Sequence, residues 1–286
     1  MNSIPVNVRD IDVSKITFVP GVAKAGRNPS ISIKYEGRNL QLVVPRLTYA
    51  GGVNIRDNEN GGTTYSLLGS LKGCDPYAKD RATTTDDTAL FYNFMLDLED
   101  LLVKAAVENS AKWFGKKRSE EAIRDGFNRL LSVSADRIDG ERVPNGKYPP
   151  SFKCKLPVYD NRINTSFVDA ARNDLYVTPE SLTTVFPKGS DGVLVVSGSV
   201  YVIAGGGFGV SWRVQRAQVI PRPRVTAADV FQDLSGENQA EEETEEKPDE
   251  AAPPSQTEDS PETPADQPTR PSEPAAPQRK RRTAAQ

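Results

Sequence analysis

The chain has 286 residues, 37% of them apolar, with 36 Lys and Arg against 39 Asp and Glu. It holds two cysteines and no histidine, which removes Cys/His zinc centres and both Ser-His-Asp and Cys-His nucleophilic catalysis. No run approaches the length of a membrane span, and residues 1–10 lack an apolar signal core, so an intracellular, soluble protein with reduced thiols is expected.

In chain order, residues 30–45 alternate first. Ile31, Ile33 and Tyr35 share one face, and Glu36-Gly37-Arg38-Asn39 supplies turn chemistry. Leu40, Leu42 and Val44 then resume the alternation, which predicts a β-hairpin. Residues 51–70 are rich in Gly, Asn and Thr with a short strand-like stretch at 63–68, and 72–87 look like a loop. Leu90, Phe91, Phe94, Met95, Leu98, Leu101 and Leu102 recur at three- and four-residue spacing, predicting a long amphipathic helix that starts at Asp86, Asp87 or Thr88 and ends at Asn109-Ser110. A shorter helix is predicted over 119–131, a polar loop over 134–147 and a strand over 152–158. Further on, 193–196 and 200–204 are apolar runs, three glycines follow, and Phe208, Val210, Trp212 and Val214 alternate with polar residues or glycine. These elements predict a β-rich α+β domain over 1–236, with antiparallel strands in a barrel-like arrangement around one long helix.

Residues 237–286 contain no aromatic residue and no Val, Ile, Leu or Met, but nine prolines. Such a segment cannot bury enough apolar surface to offset its ordering entropy, so a disordered tail is expected. It carries 13 acidic and six basic residues, and four of the six are Arg279, Lys280, Arg281 and Arg282 at its end. That cluster has the pattern of a nuclear-import signal or a phosphate-binding patch. Without the tail, residues 1–236 carry a net charge of +4, which permits a polyanion partner.

Three segments mix aromatic and basic residues. Lys112-Trp113-Phe114-Gly115-Lys116-Lys117-Arg118 follows the long helix. Tyr148 precedes a strand that places Lys153 and Lys155 on one face, and Trp212 lies beside Arg213 and Arg216, with Arg222 and Arg224 beyond. Bases stack on aromatic faces while Lys and Arg follow phosphates, which is the usual chemistry of single-strand binding. The structural alternative is that Trp113 and Phe114 close the core and the cations stay solvated. Two other motifs read more simply. Gly205-Gly206-Gly207 lies between strands, so a hairpin turn fits better than a phosphate loop. Asp86 and Asp87 suit a helix start, and Asp97, Glu99 and Asp100 its polar side, rather than a metal site.

The order Trp113-Phe114-Gly115-Lys116, Tyr148-Pro149-Pro150-Ser151-Phe152-Lys153 and Gly205-Gly206-Gly207-Phe208-Gly209-Val210-Ser211-Trp212 resembles a domain family of nucleocytoplasmic large DNA viruses, mimivirus-like and algal. Segments 24–28, 31–35 and 40–45 are similar too, so the resemblance spans about 18–232. It implies an OB-like barrel of the kind found in phage-type single-stranded DNA-binding proteins. It also implies an acidic tail that competes with DNA or recruits replication proteins; this tail departs from the pattern by ending in basic residues and Gln286. The expected function is therefore a non-enzymatic viral protein that coats single-stranded DNA, or RNA, in the nucleus or a viral replication compartment. Lys34, Lys112, Lys116, Lys117, Arg118, Lys153, Lys155, Arg213 and Arg216 would neutralise phosphates, and Trp113, Tyr148 and Trp212 would stack on bases. No cofactor, metal or membrane is expected, and a homo-oligomer is compatible with this reading. The alternative is a structural or scaffolding protein of the virion or replication compartment.

Overall fold

Period-two alternation sets most elements of the computed structural model, which describes residues 4–22, 29–59 and 61–222. The chain opens with β1 (Val6–Asn7) and β2 (Ile16–Pro20). The predicted hairpin is built from β3 (Ile31–Tyr35) and β4 (Arg38–Asn39), with Glu36 and Gly37 at φ 48° and 77° in a two-residue turn. It continues as β5 (Gln41–Tyr49). Next come β6 (Val53–Asp57), concealed by its Gly- and Asn-rich surroundings, and its partner β7 (Thr63–Ser70).

The long helix, α1 (Asp87–Glu108), starts where the acidic residues predict. The Asp86 carboxylate accepts from the N–H groups of Thr88 and Ala89, both at 3.0 Å. Its apolar face buries Phe91, Tyr92, Phe94, Met95, Leu98 and Leu102. Glu99 corrects the expectation of a wholly polar opposite side, because it is buried. Its carboxylate accepts from the Leu130 N–H at 2.6 Å and from the Arg129 guanidinium at 3.0 and 3.1 Å. A buried charge is tolerated there because it is paired and fully hydrogen-bonded.

α2 (Ser110–Phe114) and α3 (Glu120–Gly126) follow. The second predicted helix stops five residues early because Phe127 and Asn128 pair in extended form with Phe208; the Asn128 N–H donates to its carbonyl at 2.7 Å. After β8 (Leu131–Ser132), the predicted polar loop contains a separate hairpin, β9 (Ala135–Ile138) and β10 (Glu141–Pro144). β11 (Ser151–Leu156) stops before Pro157. Short elements come next: β12 (Val158–Tyr159), β13 (Arg162–Ile163), β14 (Ser166–Val168), β15 (Asp174–Leu175) and α4 (Leu182–Val185). The two predicted apolar runs form one strand, β16 (Ser190–Val202), which turns at 205–207 into β17 (Phe208–Ile220).

Five strands close into a hydrogen-bonded ring: β5 pairs with β7, β7 with β11, β11 with β17, β17 with β16, and β16 with β5. The expectation of antiparallel pairing is corrected at one link of the ring, where β11 and β17 run parallel and meet at Lys155 and Arg213, and outside the ring, where β1 runs parallel to β5 and β14 to β17. Within the ring the reason is parity, since an odd number of strands cannot alternate in direction all the way round. Leu42, Val44, Leu67, Cys154, Leu194 and Val214 are buried in the core, and α1 packs on it with Phe91 edge-on to Phe152 at 5.1 Å. Each such large side chain contributes about 1.5–3 kcal/mol by leaving water. Burial also pushes the Cys154 thiol far up, so it stays protonated and inert. No helix among the described residues is long and apolar enough to cross a membrane. The predicted tail, its terminal basic cluster, Arg224 and the boundary at 236 lie outside the described residues.

Asp191 ties β16 to β5 and to the end of β17. Its carboxylate accepts from Thr48 Oγ1 at 2.8 Å, from Arg46 at 2.9 and 3.2 Å, and from Arg222 at 2.8 Å. Burial pushes its pKa up, but hydrogen bonds from Thr48, Arg222 and Arg46 outweigh it and hold the group below the ordinary 3.8. A depressed carboxyl stabilises the fold above the unfolded-state pKa, and that contribution is lost as pH falls through the folded-state value. Asp191→Asn is therefore expected to be less stable than the parent at neutral pH. Denaturant titrations stepped down below the ordinary carboxylate range should show the difference shrinking, and a constant difference would contradict the assignment.

Candidate nucleic-acid interface

β11 has two neighbours along one edge. Ser151 and Phe152 pair with β8, whereas Lys155 pairs with Arg213 of β17. Where the partner changes, the ring wall opens into a groove of about 250 Å³. Arg129, Ser132, Lys153, Lys155, Tyr201 and Ser211 line it, with Leu130, Val210 and Trp212 supplying apolar wall.

Strand alternation then decides which side chains reach solvent. Phe152, Cys154 and Leu156 are buried, so Lys153 and Lys155 face outward; Trp212 and Val214 are buried, so Arg213 faces outward. Residues paired in register share a face, which places Asn54, Ser66, Lys155, Arg213, Ser197 and Gln41 in one row across six strands, with Ser66 itself buried. Strict alternation from Arg213 would turn Arg216 inward. A bulge prevents this: Val196 pairs with Val214 and Val195 with Arg216, so Gln215 is the extra residue and Arg216 returns to the outer face. Gln215 donates to Ser197 Oγ at 2.9 Å. Among the described residues, no carboxylate forms an ion pair with Lys153, Lys155, Arg213 or Arg216.

The structure corrects two predicted stacking rings. Trp113 is 0% exposed and packs edge-on to Phe18 at 5.9 Å, while Trp212 is 2% exposed and tilted against Phe152 at 5.7 Å. Both sit where an amphipathic element turns its apolar side to the core, so neither offers a face to a base. Gly198, directly across from Trp212, makes room for it; a Cβ there would lie 2.7 Å from the ring. Tyr148, 69% exposed, keeps an available ring.

Arg118 serves the fold rather than the open surface. Its guanidinium lies 5.3 Å from the Phe114 ring and covers Gly206, whose φ of +93° and lack of a Cβ both fit that close approach. Lys112, Lys116 and Lys117 are exposed on α2 and the segment after it. Lys34 pairs with Thr17 and Asn39 on the β2–β3–β4 flank, which joins the ring through β16, where Ser32 faces Ser199.

Two groove residues escaped the sequence reading. Tyr201, 37% exposed, was hidden inside an apolar run; burial pushes its hydroxyl pKa up against an opposing hydrogen bond with Asn128. Arg129 was masked by the predicted second helix, and it reaches the groove wall while holding Glu99.

No family model matches the chain, and no curated protein matches it in sequence. Among solved structures it is similar to gp2.5, a single-stranded DNA binding protein encoded by bacteriophage T7. The TM-score is 0.35 and the identity 13%, covering 72% of this chain and 100% of that one. It is also similar to a C-terminally truncated single-stranded DNA-binding protein from bacteriophage Enc34, with a TM-score of 0.32 and 11% identity over 72% of this chain and 95% of that one.

Proposed function

We propose that this chain binds single-stranded DNA without catalysing a reaction, using Lys153, Lys155, Arg213 and Arg216 for phosphates and Tyr201 and Tyr148 for bases. One observation carries the reading: four cations from two paired strands share an outer face beside a groove, and no described carboxylate neutralises them. Like charges held together in this way repel, and a polyanion relieves that repulsion while releasing its own counterions. We read the ring as an OB-type barrel, because in chain order its strands pair first to second, second to third, third to fifth, fifth to fourth and fourth to first. In that fold the second and third strands, here β7 and β11, carry oligonucleotides. The large-DNA-virus resemblance extends the reading to coating of single strands during viral replication. In it, the acidic stretch of 237–286 recruits replication proteins and Arg279–282 directs nuclear import.

Titration of labelled oligothymidylate at about 50 and 200 mM salt tests the binding. Sequence-tolerant binding is expected, weakening with a salt slope near −3, about −0.7 for each of four phosphates. Tyr201→Ala is expected to weaken it roughly tenfold through lost stacking. No binding at the lower salt would overturn the reading, and an ordered oligomer indifferent to DNA would favour a scaffolding role.

A further inference from the structure

The short hairpin of β12 and β13 leaves the ring directly after Lys155 and Leu156. Its register places Tyr159 directly opposite Arg162, and Val158 opposite Ile163. Val158 and Ile163 are half-buried, so the Tyr159 and Arg162 pair forms the solvent side, with Tyr159 55% exposed and Arg162 exposed. Among the described residues Arg162 has no carboxylate partner.

This pair is held in place rather than trailing in solvent. Asp160 and Asn161 have φ of 49° and 57°, the left-handed geometry of a tight two-residue turn matched to strand twist. The Asn164 N–H donates to the Pro157 carbonyl at 2.8 Å and closes the base. Thr165 Oγ1 donates to the Val214 carbonyl at 2.9 Å, which fastens the base to β17 between Arg213 and Arg216. Asn161 Nδ2 donates to Glu180 Oε1 at 3.2 Å near the tip. Tyr159 lies four residues beyond Lys155, a reach of about 13 Å in extended chain.

From this geometry we infer that the β12–β13 hairpin is a second contact for the same strand, with Tyr159 stacking on a base and Arg162 meeting a phosphate beyond the Lys155–Arg213 row. The inference rests on the single-strand reading above. It fits a nucleic acid because a fixed aromatic face beside an unpaired cation matches a base joined to its phosphate. A ring held by a rigid turn also loses little entropy when it stacks.

The test is photocross-linking of the full chain to oligothymidylate carrying 5-iodouracil, with sites mapped by mass spectrometry, alongside affinity measurements. Cross-links at Tyr159 are expected. Tyr159→Ala should weaken binding about tenfold while Tyr159→Phe does not, and Arg162→Ala should make the salt slope shallower by about 0.7. Unchanged melting temperatures in these variants would separate lost contact from lost fold. Cross-links confined to Tyr148 and Tyr201, with Tyr159→Ala binding as the parent does, would overturn the hairpin's role and leave the groove intact. If the parent chain fails to bind at low salt, the underlying reading falls and the hairpin with it.

Discussion

The double variant Lys155→Glu/Arg213→Glu is expected to lose single-strand affinity by on the order of 100-fold near 0.1 M salt, with a salt slope shallower by about 1.4. The two residues are register partners at the one link between β11 and β17, so reversing both replaces the centre of the cationic row with two carboxylates. Two phosphate contacts disappear, and repulsion of the incoming backbone replaces them. Stability should stay within about 0.5 kcal/mol, because both side chains are exposed and unpaired among the described residues. Lys112→Glu/Lys117→Glu is the informative comparison. An equal or larger loss there would move the interface from the ring wall to α2.

Trp212→Ala is expected to destabilise the domain by about 3–5 kcal/mol, lowering its melting temperature by about 6–20 °C. The indole fills the space above Gly198 and against Phe152, and the surrounding strands are too constrained by pairing to collapse into the void. Trp212→Phe should cost much less, since the indole N–H has no hydrogen-bond partner among the described residues to lose. DNA binding separates the two roles of this residue. At a temperature where it stays folded, Trp212→Leu, which keeps apolar bulk but has no ring, should bind oligothymidylate as the parent does, whereas loss of a base-stacking residue would lower affinity. A Gly198→Val variant should reproduce the destabilisation from the other side of the pair, by driving a side chain into the ring.

The aromatic and glycine segments at 113–116, 148–153 and 205–212 have a packing role. Their aromatics contact one another: Phe114 meets Phe208 edge-on at 5.5 Å, and Phe152 meets Trp212. Gly206 admits the Arg118 guanidinium. These contacts help set how α2, β11 and β17 pack, and the proposed binding surface draws only on the lysines and arginines that alternate with the buried rings.

Local pattern alone was enough for much of this protein. The hairpin at 30–45, the start of α1 at Asp86, the last two strands and the outward face of Lys153 and Lys155 follow from alternation, helical spacing and capping, which act over a few residues. The absence of histidine likewise settled from composition which catalytic chemistries were unavailable. Other features depended on residues far apart in the chain. Parity forced a parallel link between β11 and β17, a bulge at Gln215 returned Arg216 to the outer face, and β17 drew Phe127 and Asn128 out of a helix. The rings at 113 and 212 went inward and Tyr201 outward because core packing decides which side of an element is covered, and neighbouring sequence carries no record of the covering partner. The acidic and basic character of the tail remains a statement about composition, while the convergence of cations on one ring wall belongs to the tertiary structure.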